Sequence, residues 1–279
     1  MKKLFNKTLA TITLALLVLS ACSTSTTGRK QVMLFSDTEL NQMGAASFED
    51  MKKKTPISKD KSVNDFVQCV AKSITDNVPK STHQGEWEVV VFDSKQVNAF
   101  ALPGGKIGVY TGILNVTEDQ DQLGAIIGHE VGHVLEHHSN ERLSANKLSN
   151  MGLAVAAIAV NATDVENKGL WMAGLGVGLQ YGIIMPYSRS HESEADILGQ
   201  DLMARSGFHP EASIKLWQNM DKYSSKSGQA APAEFMSTHP SNQTRIKQLD
   251  KHLSASMKYY AGSNKPKCLK PKVIPVPKA

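Results

Sequence analysis

Apolar positions along the chain follow two periods. Val63, Phe66, Val67, Val70, Ala71 and Ile74 recur at three- and four-residue steps, which predicts an amphipathic helix. Upstream, Ser36-Asp37-Thr38-Glu39 has the form of a capping box, so a helix is expected from there to about Lys53, with a break around Pro56. Trp87-Glu88-Val89-Val90-Val91-Phe92 is β-branched and aromatic, the composition of a strand. Asn98-Ala99-Phe100-Ala101-Leu102 leads through Pro103-Gly104-Gly105 into a second strand, Lys106 to Tyr110. Together the two strands predict a small antiparallel sheet, followed by a short helix from Thr111 to Leu114.

Helical periodicity then dominates. Asp119 to His138 predicts a helix with Leu123, Ile126, Ile127, Val131, Val134 and Leu135 on its buried side. From Arg142 to Tyr187 the chain is helical in character and poor in charge. Gly169 to Met185 is apolar apart from Gln180 and carries Gly174, Gly178 and Gly182 at four-residue steps, a spacing that permits close helix packing. Its shortness and the flanking Pro186 favour a buried or groove-lining hairpin over a membrane span. Helices are also expected over Ser188 to Ser206, over Pro210 to Tyr223 with Trp217 on its apolar face, and over Ser241 to Leu253. The fold class is therefore α+β, mostly helical, with no internal repeat.

Composition changes the picture mainly at the two ends. Residues 1–21 open with Lys2, Lys3 and Lys7 and continue as an apolar run from Leu9 to Leu19, the form of a signal peptide. Leu19-Ser20-Ala21-Cys22 resembles the lipobox of bacterial lipoproteins, making Cys22 the candidate lipidation site and membrane attachment, with residues 22–35 as a tether. Ser23, in place of Asp, favours the bacterial outer membrane, facing the periplasm. Residues 262–279 are rich in Lys and Pro and are expected to be disordered. The formal net charge of +5 comes from the lysines of these two ends; between them acids slightly outnumber bases, which excludes a nucleic-acid-binding face. Cys69 and Cys268 could form a disulfide, and nothing in their spacing decides it.

Candidate chemistry sits in His129-Glu130-Val131-Gly132-His133. Four residues apart on a helix, His129 and His133 can present two imidazoles to one ion, two of the three protein ligands of a catalytic zinc. Glu130 lies beside them as a candidate general base. Glu136 and Ser139 stand where the metzincin pattern requires Gly and His, so that class is excluded, and His137 and His138 are expected to be exposed near the helix end. A third ligand is available downstream. In a helical Ser188-Arg189-Ser190-His191-Glu192-Ser193-Glu194-Ala195-Asp196, Glu192 and Asp196 share a face, so Glu192 could ligate while Asp196 accepts the free ring N–H of a ligating imidazole. The same spacing also fits a solvated acidic face.

These residues carry a resemblance. With Asn98-Ala99-Phe100-Ala101, Pro103-Gly104-Gly105, Ser188-Arg189 and Thr238-His239-Pro240 ahead of Arg245, the chain resembles the zinc metallopeptidases of peptidase family forty-eight. That group contains HtpX-like proteases, CAAX prenyl proteases, Oma-type proteases and BepA-like and LoiP-like periplasmic lipoproteins. The resemblance implies a gluzincin-type metallopeptidase domain over residues 36–261, one Zn2+ on His129, His133 and Glu192, Glu130 as catalytic base and Asp196 behind a ligand. It implies that His239 can occupy the fourth zinc position and hold the protease closed, or donate to the oxyanion; a histidine packed beside Pro240 at a helix start is the alternative. Arg245 is expected to pair with an acid or to contact the substrate or oxyanion. Strand Lys106 to Tyr110 is the candidate edge for pairing with an extended substrate. The functional expectation is an endopeptidase degrading misfolded or stalled envelope proteins. The alternative is a chaperone-like factor, with a closed zinc site, that works with outer-membrane assembly machinery.

Overall fold

The computed structural model describes residues 22–80, 83, 85–161, 185–226, 239 and 243–274. The expected signal peptide and the Gly174/Gly178/Gly182 stretch lie outside them. Among the described residues no helix is long and apolar enough to cross a membrane. The chain divides into two compact units, one drawn from Met1–Asp37 and His137–Ser188, the other from Thr38–Glu136 and Arg189–Ala279.

In the first unit the expected tether is folded. Strands β1 (Cys22–Thr24) and β2 (Lys30–Val32) form an antiparallel hairpin with Ser23 opposite Gln31. Gly28, at φ 89°, supplies the left-handed position in its turn. The hairpin is held against a helix of the same unit, His138–Asn161 (α4 in chain order). Arg29 forks onto Glu141, Gln31 Nε2 donates to the same carboxylate at 3.2 Å, and the Leu34 N–H donates to Ser144 Oγ at 2.8 Å. A Ser/Thr-rich composition reads as linker, but composition does not reveal that Arg29, Gln31 and Leu34 have hydrogen-bond partners on α4.

The second unit holds α1 (Asp37–Lys54, from Thr38 on), α2 (Lys61–Thr75) and strands β3 (Glu88–Phe92), β4 (Ala99–Leu102) and β5 (Lys106–Tyr110). A 3-10 turn, Thr111–Asn115, leads to α3 (Gln120–Leu135). Helices α5 (Met185–Arg205, from Arg189 on), α6 (Glu211–Lys226) and α7 (Gln243–Ser256) complete it. The sheet is mixed, not antiparallel: its order is β3-β5-β4, with β3 parallel and β4 antiparallel to β5. The segment between β3 and β4 carries the chain past β5, so the hairpin closes on the far side. Strand β5, expected as an edge, is therefore central, and β4 is an edge.

The period-2 and period-3.6 patterns meet on the sheet's inner face. Ile107 and Val109 of β5 and all six periodic residues of α2 are buried in one core with Leu123, Ile126, Ile127 and Val131 of α3. On the other face, Phe48 of α1 packs edge-on against Phe92 and Phe100, with Tyr110 completing the cluster.

Helix α3 starts at Asp119, whose side chain accepts from the Gln122 N–H at 2.9 Å. Gly124, Gly128 and Gly132 form a stripe along it. A Cβ on Gly128 would stand 2.8 Å from the Gly199 carbonyl oxygen, and one on Gly132 would stand 3.0 Å from that of Ala195. The stripe brings α3 and α5 together backbone to backbone, which sets the separation of the chemical groups they carry.

The tail expected to be disordered is docked as far as residue 274. Cys268 is bonded to Cys69 of α2, across 199 residues of sequence. Lys265 Nζ pairs with Asp121 at 2.7 Å, the Cys268 N–H donates to Gln120 Oε1 at 2.8 Å, and Lys270 donates to the Thr117 carbonyl. The missing apolar content is replaced by a covalent bond and by acceptors at the start of α3. At the other end of that helix His137 adopts φ 54°, and His138, expected to be exposed, is buried.

Candidate metal centre

All groups of the centre belong to the second unit. Helix α3 supplies His129 and His133, α5 supplies Glu192, and His239 comes from the segment before α7. One donor atom from each of these four buried residues lies within 4.8 Å of the others. His129 Nε2 is 3.0 Å from His133 Nε2 and 3.2 Å from His239 Nδ1. Glu192 Oε2 lies 3.0 Å from His239 Nδ1 and 3.3 Å from His129 Nε2, and Oε1 lies 3.5 Å from His133 Nε2. Ligands bonded to zinc at about 2.0–2.1 Å in a tetrahedron stand roughly 3.3 Å apart, so this donor set and its spacing fit one Zn2+.

The side chains behind the donors prepare them. Asp196 Oδ1 is 3.0 Å from His129 Nδ1 and accepts its proton, which directs Nε2 toward the cluster. Burial opposes charge on His129, but the hydrogen bonds to Asp196 and Glu192 outweigh it and raise its pKa to about 9. Burial likewise opposes charge on Glu192, and contacts with His129 and His239 overcome that and lower its pKa. Asp196 is also held below the usual carboxylate range, the cost of burial being outweighed chiefly by Arg245.

Glu130 is different. Burial pushes its pKa up, and the nearby His239 and His129 offset this only in part. Its Oε2 accepts from the Ala101 N–H of β4 at 3.2 Å. Its Oε1 is buried with no hydrogen-bond partner among the described residues, His239 Nε2 standing 3.4 Å away. A buried carboxylate oxygen left open beside four metal donors is chemically suited to take a proton from water.

Arg245, expected to pair with an acid or to contact the substrate or oxyanion, pairs with two acids. It is 2% exposed, donates from Nε and Nη2 to the two oxygens of Asp196 at 2.6 and 2.7 Å, and reaches Glu192 Oε2 from Nη1 at 3.0 Å. Its guanidinium carbon lies 3.9 Å from the centre of the Trp217 ring. Trp217 also meets His129 edge to face, with ring centroids 6.2 Å apart. Trp217 beside the metal donors, and the Ala101 N–H on Glu130, are contacts no sequence spacing announces. The glycine stripe of α3 is legible as a four-residue repeat, Gly124, Gly128 and Gly132, that runs into the histidine motif.

A model of peptidase family M48 matches residues 58–253. The mitochondrial metalloendopeptidase OMA1 of Danio rerio is 36% identical over 261 residues, covering 89% of this chain and 54% of that protein. The human protein of the same name is 32% identical, over 83% of this chain and 44% of its own length. A β-barrel assembly-enhancing protease of Escherichia coli is 22% identical over 74% of this chain and 42% of its own. The chain thus spans about half the length of these relatives. They overturn the expected location in a bacterial outer membrane facing the periplasm: relatives at 31–36% identity are mitochondrial metalloendopeptidases, not bacterial outer-membrane proteins. The family match covers the glutamate and histidine donors on α3, α5 and the segment before α7 together with the strand that holds Glu130, and the chain belongs to peptidase family M48.

Proposed function

We propose that the chain is a zinc-dependent endopeptidase that cleaves misfolded or stalled proteins. The observation that carries this reading is the buried, unpartnered Oε1 of Glu130 beside the donors of His129, His133, Glu192 and His239. Zinc held by His129, His133 and Glu192 would supply Lewis acidity to water and to a peptide carbonyl. Glu130 accepts the proton of the attacking water at Oε1 and returns it to the leaving amine nitrogen. Its raised pKa suits both halves of that transfer, and the Ala101 N–H keeps its other oxygen in place. Asp196 keeps the proton of His129 on Nδ1. Edge strand β4 lies directly beside this carboxylate and can pair with an extended substrate backbone, which favours unfolded segments over folded ones.

The experiment compares zinc-loaded wild type with Glu130→Gln on unfolded casein. A drop in kcat of about 10²- to 10⁴-fold at unchanged zinc content is expected, and equal cleavage by both would sink the mechanism. Attachment to a membrane through lipidated Cys22 belongs to the same proposal and rests on Leu19-Ser20-Ala21-Cys22; Cys22→Ala should then move the protein to the soluble fraction.

A second reading is favoured by His239, whose Nδ1 sits among the donors and can complete a tetrahedral set that leaves no position for water. The chain would then act mainly as a chaperone-like factor with a closed zinc site. The relatives named β-barrel assembly-enhancing protease favour partners in the assembly of β-barrel proteins. His239→Ala separates the two: increased casein cleavage supports the closed site, and decreased cleavage assigns His239 to the transition state.

A further inference from the structure

Arg245 is a buried cation whose Nη2 stands 3.5 Å from His129 Nδ1, and it reaches both acids that serve the cluster. Its planar fork takes the two oxygens of Asp196, and the remaining nitrogen takes Glu192. These acids lie one turn apart on α5, while Arg245 arrives from α7. One face of the guanidinium is covered by Trp217 of α6, whose ring edge also touches His129. Four helices therefore meet through a single chain of contacts, Trp217 to Arg245 to Asp196 to His129.

We infer that Arg245, seated on Trp217, is a positioning residue: it fixes the carboxylates of Asp196 and Glu192 in the register at which they serve His129 and a bound metal ion. The inference rests on the proposed zinc site and concerns how this chain builds it. Three features support placement over simple charge balance. The fork requires a planar group with donors in a fixed arrangement, which lysine lacks. The stack on Trp217 fixes the plane of that group, a constraint a point charge would not need. The carboxylates are themselves buried, so neither has water to hold it once the fork is gone.

Charge and placement predict opposite effects on zinc. The positive guanidinium repels a divalent cation, so if charge ruled, removing it would tighten binding. If placement rules, losing the fork weakens binding even where the charge is kept. The test measures zinc affinity by chelator competition, with no proteolysis involved, so it is independent of the peptidase reading. Stoichiometric zinc on the wild type is established first, and the variants are then compared with it. Arg245→Lys keeps the charge and loses the fork; an affinity lower by about 10- to 100-fold is expected, with altered visible bands when Co2+ replaces Zn2+. Affinity within twofold of wild type and an unchanged Co2+ spectrum would overturn the inference, as would tighter binding by Arg245→Met. A second pair guards against misfolding of the arginine variants. Trp217→Leu removes the platform with every charge in place and should weaken zinc severalfold, whereas Trp217→Phe, which keeps a stacking face, should restore most of it. Equal affinity for these two would also overturn the assignment.

Discussion

Asp196 accepts three hydrogen bonds, two from Arg245 and one from His129 Nδ1, and is almost wholly buried while doing so. Its carboxylate fixes the tautomer of a metal-donor imidazole, which its amide cannot do as well because it halves the acceptor capacity and removes the charge. Asp196→Asn should therefore lower zinc affinity by about 10- to 100-fold, read by chelator competition. Unchanged affinity would remove Asp196 from the site. At this scale the sequence was informative wherever residue type and helical spacing suffice: His129, His133, Glu192 and Asp196 could be paired by face before any coordinates. Arg245 was flagged without its partner, because its contacts cross three helices and no local period encodes them.

At the scale of elements, the spacing of α3 and α5 is set by glycine. A methyl group on Gly128 would press into the backbone of Gly199, a neighbour that cannot swing aside as a side chain would. Gly128→Ala is expected to cost about 1–3 kcal/mol in urea unfolding of the metal-free protein and to weaken zinc binding as well, since the helices carry donors on both sides of the contact. A variant as stable as wild type would show that the helices can separate freely. Glu88 links β3 to its neighbours in another way, accepting from Lys106 of β5 and Lys52 of α1, both at 2.8 Å. Those hydrogen bonds, Lys106 first, lower its pKa against a smaller opposing effect of burial. The sign follows directly: the stabilisation is present above the unfolded pKa and is lost as pH falls through the lower, folded value. Exposure and salt screening hold it to within about 1 kcal/mol. Glu88→Gln should therefore flatten the acid limb of stability against pH, and an identical limb would exclude a role for Glu88. Strands β3 and β5 were readable from composition, but β4 and the order of the sheet were not. Pairing partners are chosen by the path between β3 and β4, and a turn-rich segment permits either side.

Over the whole molecule, the tail determines how far the fold is tied together. The Cys69–Cys268 bond closes most of the chain into a loop, joins α2 to a segment running along the start of α3, and is supported there by Lys265 on Asp121. A cross-link over so long a loop restricts the unfolded chain strongly, so Cys69→Ser should cost about 2–5 kcal/mol, measured by denaturant unfolding with and without reductant. The wild type in reductant should match the variant; a variant as stable as the oxidised wild type would show that the tail adds nothing. Low apolar content led to the expectation of disorder for residues 262–279, and it misled because a covalent bond and three charged or polar contacts replace the hydrophobic burial that composition measures.

The sequence by itself determined the helical and strand periods, the pair of imidazoles on α3, the acids one turn apart on α5 and the two cysteines. Each of these is a local matter, fixed by residue type and by a repeat of 2 or 3.6. Tertiary structure decided which strand is central, that residues 22–35 and 262–274 are folded, that the cysteines are joined, and that His239 enters the donor set. It also brought Arg245 onto Asp196 and Glu192. Those outcomes depend on where distant segments meet, and that is settled by burial and partner geometry summed over the whole chain, which no single window of sequence contains.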